Sequence, residues 1–286
     1  MISGKTKLCG LIGDPVEHTM SPPMHNAAFK ETGIDCVYMA FRVKPEDLGK
    51  AIAGMKALNI RGLNVTIPHK VAVLPFLDEV DPLAEKIGAV NTIANNDGML
   101  KGYNTDAGGF LQALLERGIE PGERNVVILG AGGVSRAVSF VLADRGARLV
   151  ILNRLLELDW ARDLASRLSQ AFGREVGALE LNHENLAMVL DKAQILVNAT
   201  SVGMSPRAEE TPVERDLLRP DLVVYDVIYN PMKTRLLREA EEAGAQTISG
   251  LDMLVWQGAL AFEKWTSLRA PVGVMKEATV RLLAKE

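Results

Sequence analysis

The sequence predicts an α/β protein of two α/β domains around a cleft, the first with a mostly parallel sheet. Three observations carry this expectation. Short apolar, strand-like runs alternate with helix-like stretches along the chain, the signature of a sheet with crossover helices. The length of 286 residues suits two domains of ordinary size. A turn-forming segment, Glu120-Pro-Gly-Glu-Arg124, interrupts the alternation near its middle and reads as a boundary.

The elements follow in order. Lys7 to Ile12 is an apolar run ending at Gly13, and Asp14-Pro15 opens a loop. Pro22 to Thr32 reads as a helix closed by Gly33. Val37 to Val43 alternates as a strand, Pro45 to Leu58 as a helix, and Gly62 to Ile67 as a strand stopped by Pro68. Ala89 to Asn95 and Leu100 to Tyr103 flank Asn96-Asp97-Gly98, a hairpin signal. Asp106 to Arg117 is a helix before Gly118. Beyond the boundary, Asn125-Val-Val-Ile-Leu-Gly130 is a buried strand by its continuous apolar run. Val134 to Arg145 is a helix, Arg148 to Asn153 a strand, and Glu157 to Phe172 a long helix. Ile195 to Asn198 and Leu222 to Val227 are strands, and Thr234 to Ala243 is a helix. The tail, Asp252 to Trp265 and Val274 to Ala284, is helical.

Composition narrows the function. Hydrophobic residues make up 48% and charged residues 24%, the balance of a folded chain with a core that needs no crosslinks. A net charge of −4 argues against a nucleic-acid surface. Two cysteines, Cys9 and Cys36, form no C-x-x-C pair. No metal site is expected, and both read as small buried hydrophobes. The start lacks the apolar stretch of a signal peptide. No apolar run reaches the ~20 residues that span a bilayer, so a cytoplasmic protein is expected.

One turn carries a specific signal. Gly130-Ala-Gly132-Gly133 lies between a strand and a helix, where glycines let the backbone approach a pyrophosphate and the helix N-terminus faces the anion. This is the arrangement of a Rossmann-type nucleotide domain, with Ser135 in place of the third glycine of the usual pattern. At the end of the next strand stands Asn153-Arg154 rather than an acid. A guanidinium suits the extra phosphate of NADP, which is the favoured reading over a plain solvated strand-end charge.

Three polar clusters lie at strand ends or in the loops after them, where such sheets bind ligands. One is His18-Thr19-Met20-Ser21-Pro22; another is Asn64 and Thr66 on one face of a strand with Lys70 just beyond. The last combines Asn91-Thr92 with Gly102-Tyr-Asn104-Thr-Asp106. Each has a plain reading too: Ser21 as N-cap with Pro22 at the first helical position, Asp106 as a cap, Lys70 as a surface charge. Together with a nicotinamide cradle they point to a polyol site.

In these runs the sequence resembles the shikimate dehydrogenase family, including its quinate/shikimate branch. The resemblance rests on Gly13-Asp-Pro-Val-Glu-His-Thr-Met-Ser-Pro22 with His25-Asn26, and on Asn64-Val-Thr-Ile-Pro-His-Lys70. Gly88-Ala-Val-Asn-Thr92, Gly102-Tyr-Asn-Thr-Asp106, Gly130-Ala-Gly-Gly-Val-Ser-Arg-Ala137 and Asn198-Ala-Thr-Ser-Val-Gly-Met204 extend it. Tyr229-Asn-Pro231 and Gly250-Leu-Asp-Met-Leu-Val-Trp-Gln257 complete it, in family order over nearly the whole chain. The resemblance implies a substrate domain, residues 1–106, with C-terminal helices 250–286 packing back on it, and a Rossmann NADP domain, residues 107–249. It implies Lys70 as acid/base with Asp106 as partner. Thr19, Ser21 and Tyr229 would hold the substrate carboxylate, and Thr66, Asn91 and Gln257 its ring hydroxyls, with Asn64 nearby. Gly130, Ala131, Gly132, Gly133 and Val134 would hold pyrophosphate, Asn153 and Arg154 the adenosine end, and Val227 and Gly250 the nicotinamide end, with Thr200 also at the cofactor.

Two departures matter. Thr19 stands where the family usually has serine, and Leu155 where NADP-using members usually have threonine, with acids rather than a base following. NADP is expected, with NAD open. The implied reaction is reversible reduction of 3-dehydroshikimate to shikimate in aromatic amino-acid biosynthesis. The cofactor supplies hydride, and a lysine ammonium donates the proton and stabilises charge on the carbonyl oxygen. An NAD-dependent quinate enzyme and a non-catalytic metabolite sensor are the rival readings, and the chain is expected to be monomer or homodimer.

Overall fold

The computed structural model describes residues 2–284. The chain forms two compact units, one built from residues up to Gly109 and from Val255 onward, the other from Phe110 to Leu254. The chain passes between them inside two helices, Asp106–Leu115 and Gly250–Thr266.

The first unit holds a six-stranded mixed sheet. Its strands are β1 (Lys7–Gly13), β2 (Cys36–Arg42), β3 (Gly62–Val65), β4 (Glu79–Val80), β5 (Thr92–Asn96) and β6 (Met99–Tyr103), in spatial order β2-β1-β3-β5-β6-β4. β1 pairs in parallel with β2 and β3, whereas β5 and β6 run as an antiparallel hairpin beside β3. Ile12, Leu63, Val65, Ile93 and Leu100 bury one face against the helix Leu48–Ala57. Trp265, almost wholly buried near the end of the helix Gly250–Thr266, donates its indole N–H to Ile93 O at 3.0 Å. Only glycine permits this at residue 62, because a Cβ there would lie 2.1 Å from Trp265 Nε1.

The second unit is a fully parallel sheet: β7 (Asn125–Leu129), β8 (Arg148–Asn153), β9 (Gly177–Glu180), β10 (Ile195–Asn198), β11 (Val223–Asp226) and β12 (Gln246–Ser249), in order β12-β11-β10-β7-β8-β9. β7 sits between β8 and β10, where the strand order reverses. Its central strands are buried on both faces, which is why they read as unbroken apolar runs.

Several expectations change. The strand expected to run to Ile67 ends at Val65, so Thr66 lies in the following turn. The helix from Glu157 begins at Leu158, behind a single 3₁₀ turn, Leu155–Glu157. Cys36 is half-buried rather than buried, because β2 is the sheet edge; its sulfur lies 3.6 Å from that of buried Cys9. Strands β4, β9 and β12 and the helices Pro82–Ile87 and His183–Leu190 had no expected counterpart. β9 and β12 are edges with at most one buried residue each, so they lack an apolar run to announce them. Among the described residues no helix is long and apolar enough to cross a membrane.

Candidate active site

Lys70 sits in a single-turn helix, His69–Ala72, just after β3. His69 fixes this helix through a 2.7 Å contact between its ring Nε2 and Val43 O. Asp106 is the first residue of the helix Asp106–Leu115. It does not cap that helix: Asn104 Oδ1 accepts the Ala107 N–H at 3.2 Å instead. The Asp106 carboxylate is therefore available, and its Oδ2 accepts from Lys70 Nζ at 2.7 Å. Lys70 is 8% exposed and Asp106 4%. A buried ion pair recovers its desolvation cost only with further hydrogen bonds. Asn91 Nδ2 supplies one, to Asp106 Oδ1 at 2.9 Å.

Asn91 is the hub of what surrounds the pair. Its Oδ1 accepts the Thr105 N–H at 2.7 Å and the hydroxyls of Thr92 and Thr105, and its Nδ2 also reaches Thr105 Oγ1 and, at 3.5 Å, Gln257 Oε1. Gln257 is brought here because Gly109 offers no side chain against its backbone. Asn64 Nδ2 donates to Thr92 Oγ1 at 3.1 Å and to Asn91 O at 3.3 Å. The Tyr38 hydroxyl donates to Asn64 Oδ1 at 2.7 Å. Asn64, 4% exposed, thus braces Asn91 from behind. His25 stacks on the Tyr38 ring, centroids 4.5 Å apart, and burial lowers its pKa to about 3. Thr92, Asn104 and Thr105 belong to the third polar cluster but had no assigned role, and Tyr38, inside a strand-like run, carried no signal.

Ser21 begins the helix Ser21–Thr32 rather than capping it: the N-cap position is Met20, with no side-chain cap bond. Thr19 Oγ1 accepts the Ser21 N–H at 3.3 Å, so the two hydroxyl residues share one turn. Thr66, half-buried, anchors the turn to β1 by donating its N–H to Ile12 O at 2.9 Å. Lys70, Asp106, Asn91, Asn64 and Gln257 thus form one cluster within the first unit. Thr19 and Ser21 stand together after β1, and Tyr229 belongs to the second unit.

In the second unit the glycine turn follows β7. Gly130 takes a left-handed φ of +96°, conformationally free only for glycine. A Cβ there would lie 3.0 Å from Ala199 O, whereas at exposed Gly132 it would meet nothing within 4 Å. No side chain caps the following helix, Gly133–Asp144. Open space over an uncapped helix N-terminus fits a pyrophosphate. Ser135, the departure from the glycine pattern, is buried, and its hydroxyl donates to Gly130 O at 2.6 Å. It ties helix to turn where a third glycine would allow close packing. At the end of β8, Asn153 Nδ2 donates to Glu157 O at 2.8 Å. The exposed Arg154 pairs with the Glu157 carboxylate, which raises the guanidinium pKa and lowers that of the acid. Thr200, Val227 and Gly250 cluster at the opposite side: Thr200 Oγ1 donates to Asn198 Oδ1, and a Cβ on Gly250 would lie 2.1 Å from Val227 O.

Comparison with known proteins bears on both units. The family model described as the Shikimate dehydrogenase substrate binding domain matches residues 11–93. That of the Shikimate 5'-dehydrogenase C-terminal domain matches residues 250–279. A protein of Dehalococcoides mccartyi named shikimate dehydrogenase (NADP(+)) is 51% identical over 276 residues, 96% of each chain. The chain belongs to the shikimate dehydrogenase family. A crystal structure of a shikimate dehydrogenase in complex with NADP+ superimposes with a TM-score of 0.92 at 47% identity, covering 99% of this chain and 98% of that one. The Listeria monocytogenes shikimate 5-dehydrogenase, in complex with shikimate and NAD, gives 0.89 at 42% identity, covering 96% and 97%. The expected α/β class, with its parallel nucleotide-type sheet, is that of these relatives.

Proposed function

We propose that this chain is an NADP-dependent shikimate dehydrogenase, catalysing the reversible reduction of 3-dehydroshikimate to shikimate in the cytoplasm. The observation that carries the reading is the buried Lys70–Asp106 pair, 2.7 Å apart and braced by Asn91. It supplies a proton donor and a polyol-binding carboxylate at one point. The first unit, with the C-terminal helices, serves as the substrate domain. Thr19 and Ser21 hold the substrate carboxylate, the role that the family resemblance also gives Tyr229. Thr66, Asn91, Gln257 and Asp106 take the ring hydroxyls, and Asn64 positions Asn91.

The second unit holds the dinucleotide: Gly130 to Val134 at the pyrophosphate, Asn153 and Arg154 at the adenosine phosphate, Thr200, Val227 and Gly250 at the far end. NADPH, when bound, supplies a hydride to the ketone carbon. As charge grows on the ketone oxygen, the Lys70 ammonium stabilises it and gives up its proton there. Asp106 keeps that ammonium oriented and binds the neighbouring hydroxyl. In the oxidative direction Lys70 receives the proton of the alcohol.

Initial rates with shikimate and quinate, each with NADP+ and NAD+, test this reading. Shikimate with NADP+ is expected to give the highest kcat/KM. Absence of turnover with shikimate under either cofactor, alongside tight NADP+ binding, would mark the chain as a metabolite sensor instead.

A further inference from the structure

Asp226 is completely buried at the end of β11, and the reaction above gives it no task. Its carboxylate accepts hydrogen bonds from three separate pieces of the second unit. Oδ2 takes the Thr234 hydroxyl at 2.7 Å, at the start of the helix Arg235–Glu242. Oδ1 takes the Ile228 N–H at 3.1 Å, in the loop after β11, and Asn198 Nδ2 at 3.1 Å, at the end of β10. Asn198 extends the clasp. Its amide donates also to Val202 O at 3.2 Å, and its Oδ1 accepts the N–H and hydroxyl of Thr200 at 3.1 and 2.7 Å. One Asn–Asp contact thus ties the 198–204 loop to the 226–234 loop.

The clasp is costly to keep. Burial pushes the Asp226 carboxyl up to about 6 despite its three donors. An apolar residue would pack this strand end at lower cost, so the acid points to a directional task. Its position names the task. A dinucleotide lies across the point where strand order reverses, one half on each side. Here that point is β7, with Asn153 and Arg154 on the β8 side and both clasped loops on the β10–β11 side. The 198–204 loop crowds the turn: a Gly130 Cβ would lie 3.0 Å from Ala199 O and 3.1 Å from the Thr200 side-chain methyl.

We infer that Asp226 is a positioning residue for the nicotinamide half of the cofactor, holding the 198–204 loop through Asn198 and the Val227–Ile228 backbone directly. The inference rests on the NADP reading given above. It separates the two halves of the site: Asp226 governs the β10–β11 side and leaves the adenosine side alone.

The test is isothermal titration of the full-length protein, Asp226→Ala and Asn198→Ala with NADPH, and with 2′,5′-ADP, which carries only the adenosine half. Each variant is expected to bind NADPH about tenfold more weakly, as loss of a buried acceptor or donor implies, with 2′,5′-ADP changed less than about twofold. Asn198→Ala keeps the carboxylate and its other two donors, so it decides the matter if Asp226→Ala does not fold. Equal weakening of both ligands would mean general loosening of the unit and would overturn the positioning role, as would unchanged NADPH affinity. Failure of the unaltered protein to bind NADPH would overturn the NADP reading and this inference with it; normal binding there, with no change in the variants, overturns this inference alone.

Discussion

Polar chemistry is arranged in opposite ways at two places, the Lys70 centre of the first unit and the glycine turn with the end of β8 in the second. In the first, Lys70, Asp106, Asn91, Thr92, Thr105 and Asn64 are all buried and bond chiefly to one another. In the second, the glycine turn presents backbone, and the side chain at the end of β8 that can take a phosphate, Arg154, is exposed and held by one acid. A group fixed by several buried partners has little freedom to re-form elsewhere, so its loss is felt in full. An exposed ion pair is worth little and exchanges partners readily. The reaction centre should therefore be intolerant of change, and cofactor choice adjustable.

The sharpest test of that contrast is Lys70→Ala. Its kcat is expected to fall ~10²–10⁴-fold, the usual worth of a positioned acid, while calorimetric affinity for shikimate changes far less; near-normal turnover would end the proton-donor assignment. Next is Asp226→Asn, which keeps the shape and can turn its amide nitrogen toward the Thr234 hydroxyl. Folding raises the Asp226 pKa from 3.8 to about 6. Such an acid adds stability fully below its unfolded pKa and loses it as pH rises through its folded one. Relative to the variant, the unaltered protein should lose about 2–3 kcal/mol of unfolding free energy between acid and neutral pH. Parallel stability curves from denaturant titrations at each pH would contradict this.

Arg154→Ala comes third. The KM for NADPH should rise about tenfold, as loss of a charge-assisted phosphate contact implies, and that for NADH stay nearly level. Equal effects on both cofactors would reduce Arg154 to a partner of Glu157. Smallest is Tyr38→Phe, which removes one donor from Asn64. About 1 kcal/mol of stability should go with it, measured by urea unfolding, and kcat should shift only a few-fold because Thr92 and Thr105 still hold Asn91.

Which parts were legible in the sequence follows the same physics. β7, β10 and β11 are apolar because both their faces are buried, and the glycine turn lies between a strand and a helix as a nucleotide cradle requires, so the nucleotide-type half was plain. Lys70 and Asp106 were visible as members of motifs, but their partnership came only from the family resemblance, since 36 positions separate them. The polar edges β9 and β12 were invisible to a reading by apolar runs. Asp226 hid inside such a run, Val223-Val-Tyr-Asp-Val227. Ser21 misled because serine is a favoured N-cap and proline a favoured first helical residue, and here the helix begins at Ser21 itself. Ser135 reads as a flaw in the glycine pattern until its bond to Gly130 O is known.

Trp265 has a consequence for biogenesis. Its indole lies against Gly62 and bonds to β5, yet the rest of the first unit's sheet is encoded before Gly109. During synthesis the second unit, one uninterrupted stretch, can close as soon as it clears the ribosome, since domains fold as units from the N-terminal side. The first unit, although it emerges earlier, cannot complete its core until the final segment arrives. Through that interval the place beside Gly62 and β5 that Trp265 fills waits uncovered, so a nascent chain halted before Trp265 emerges should bind chaperones and aggregate more readily than the finished one.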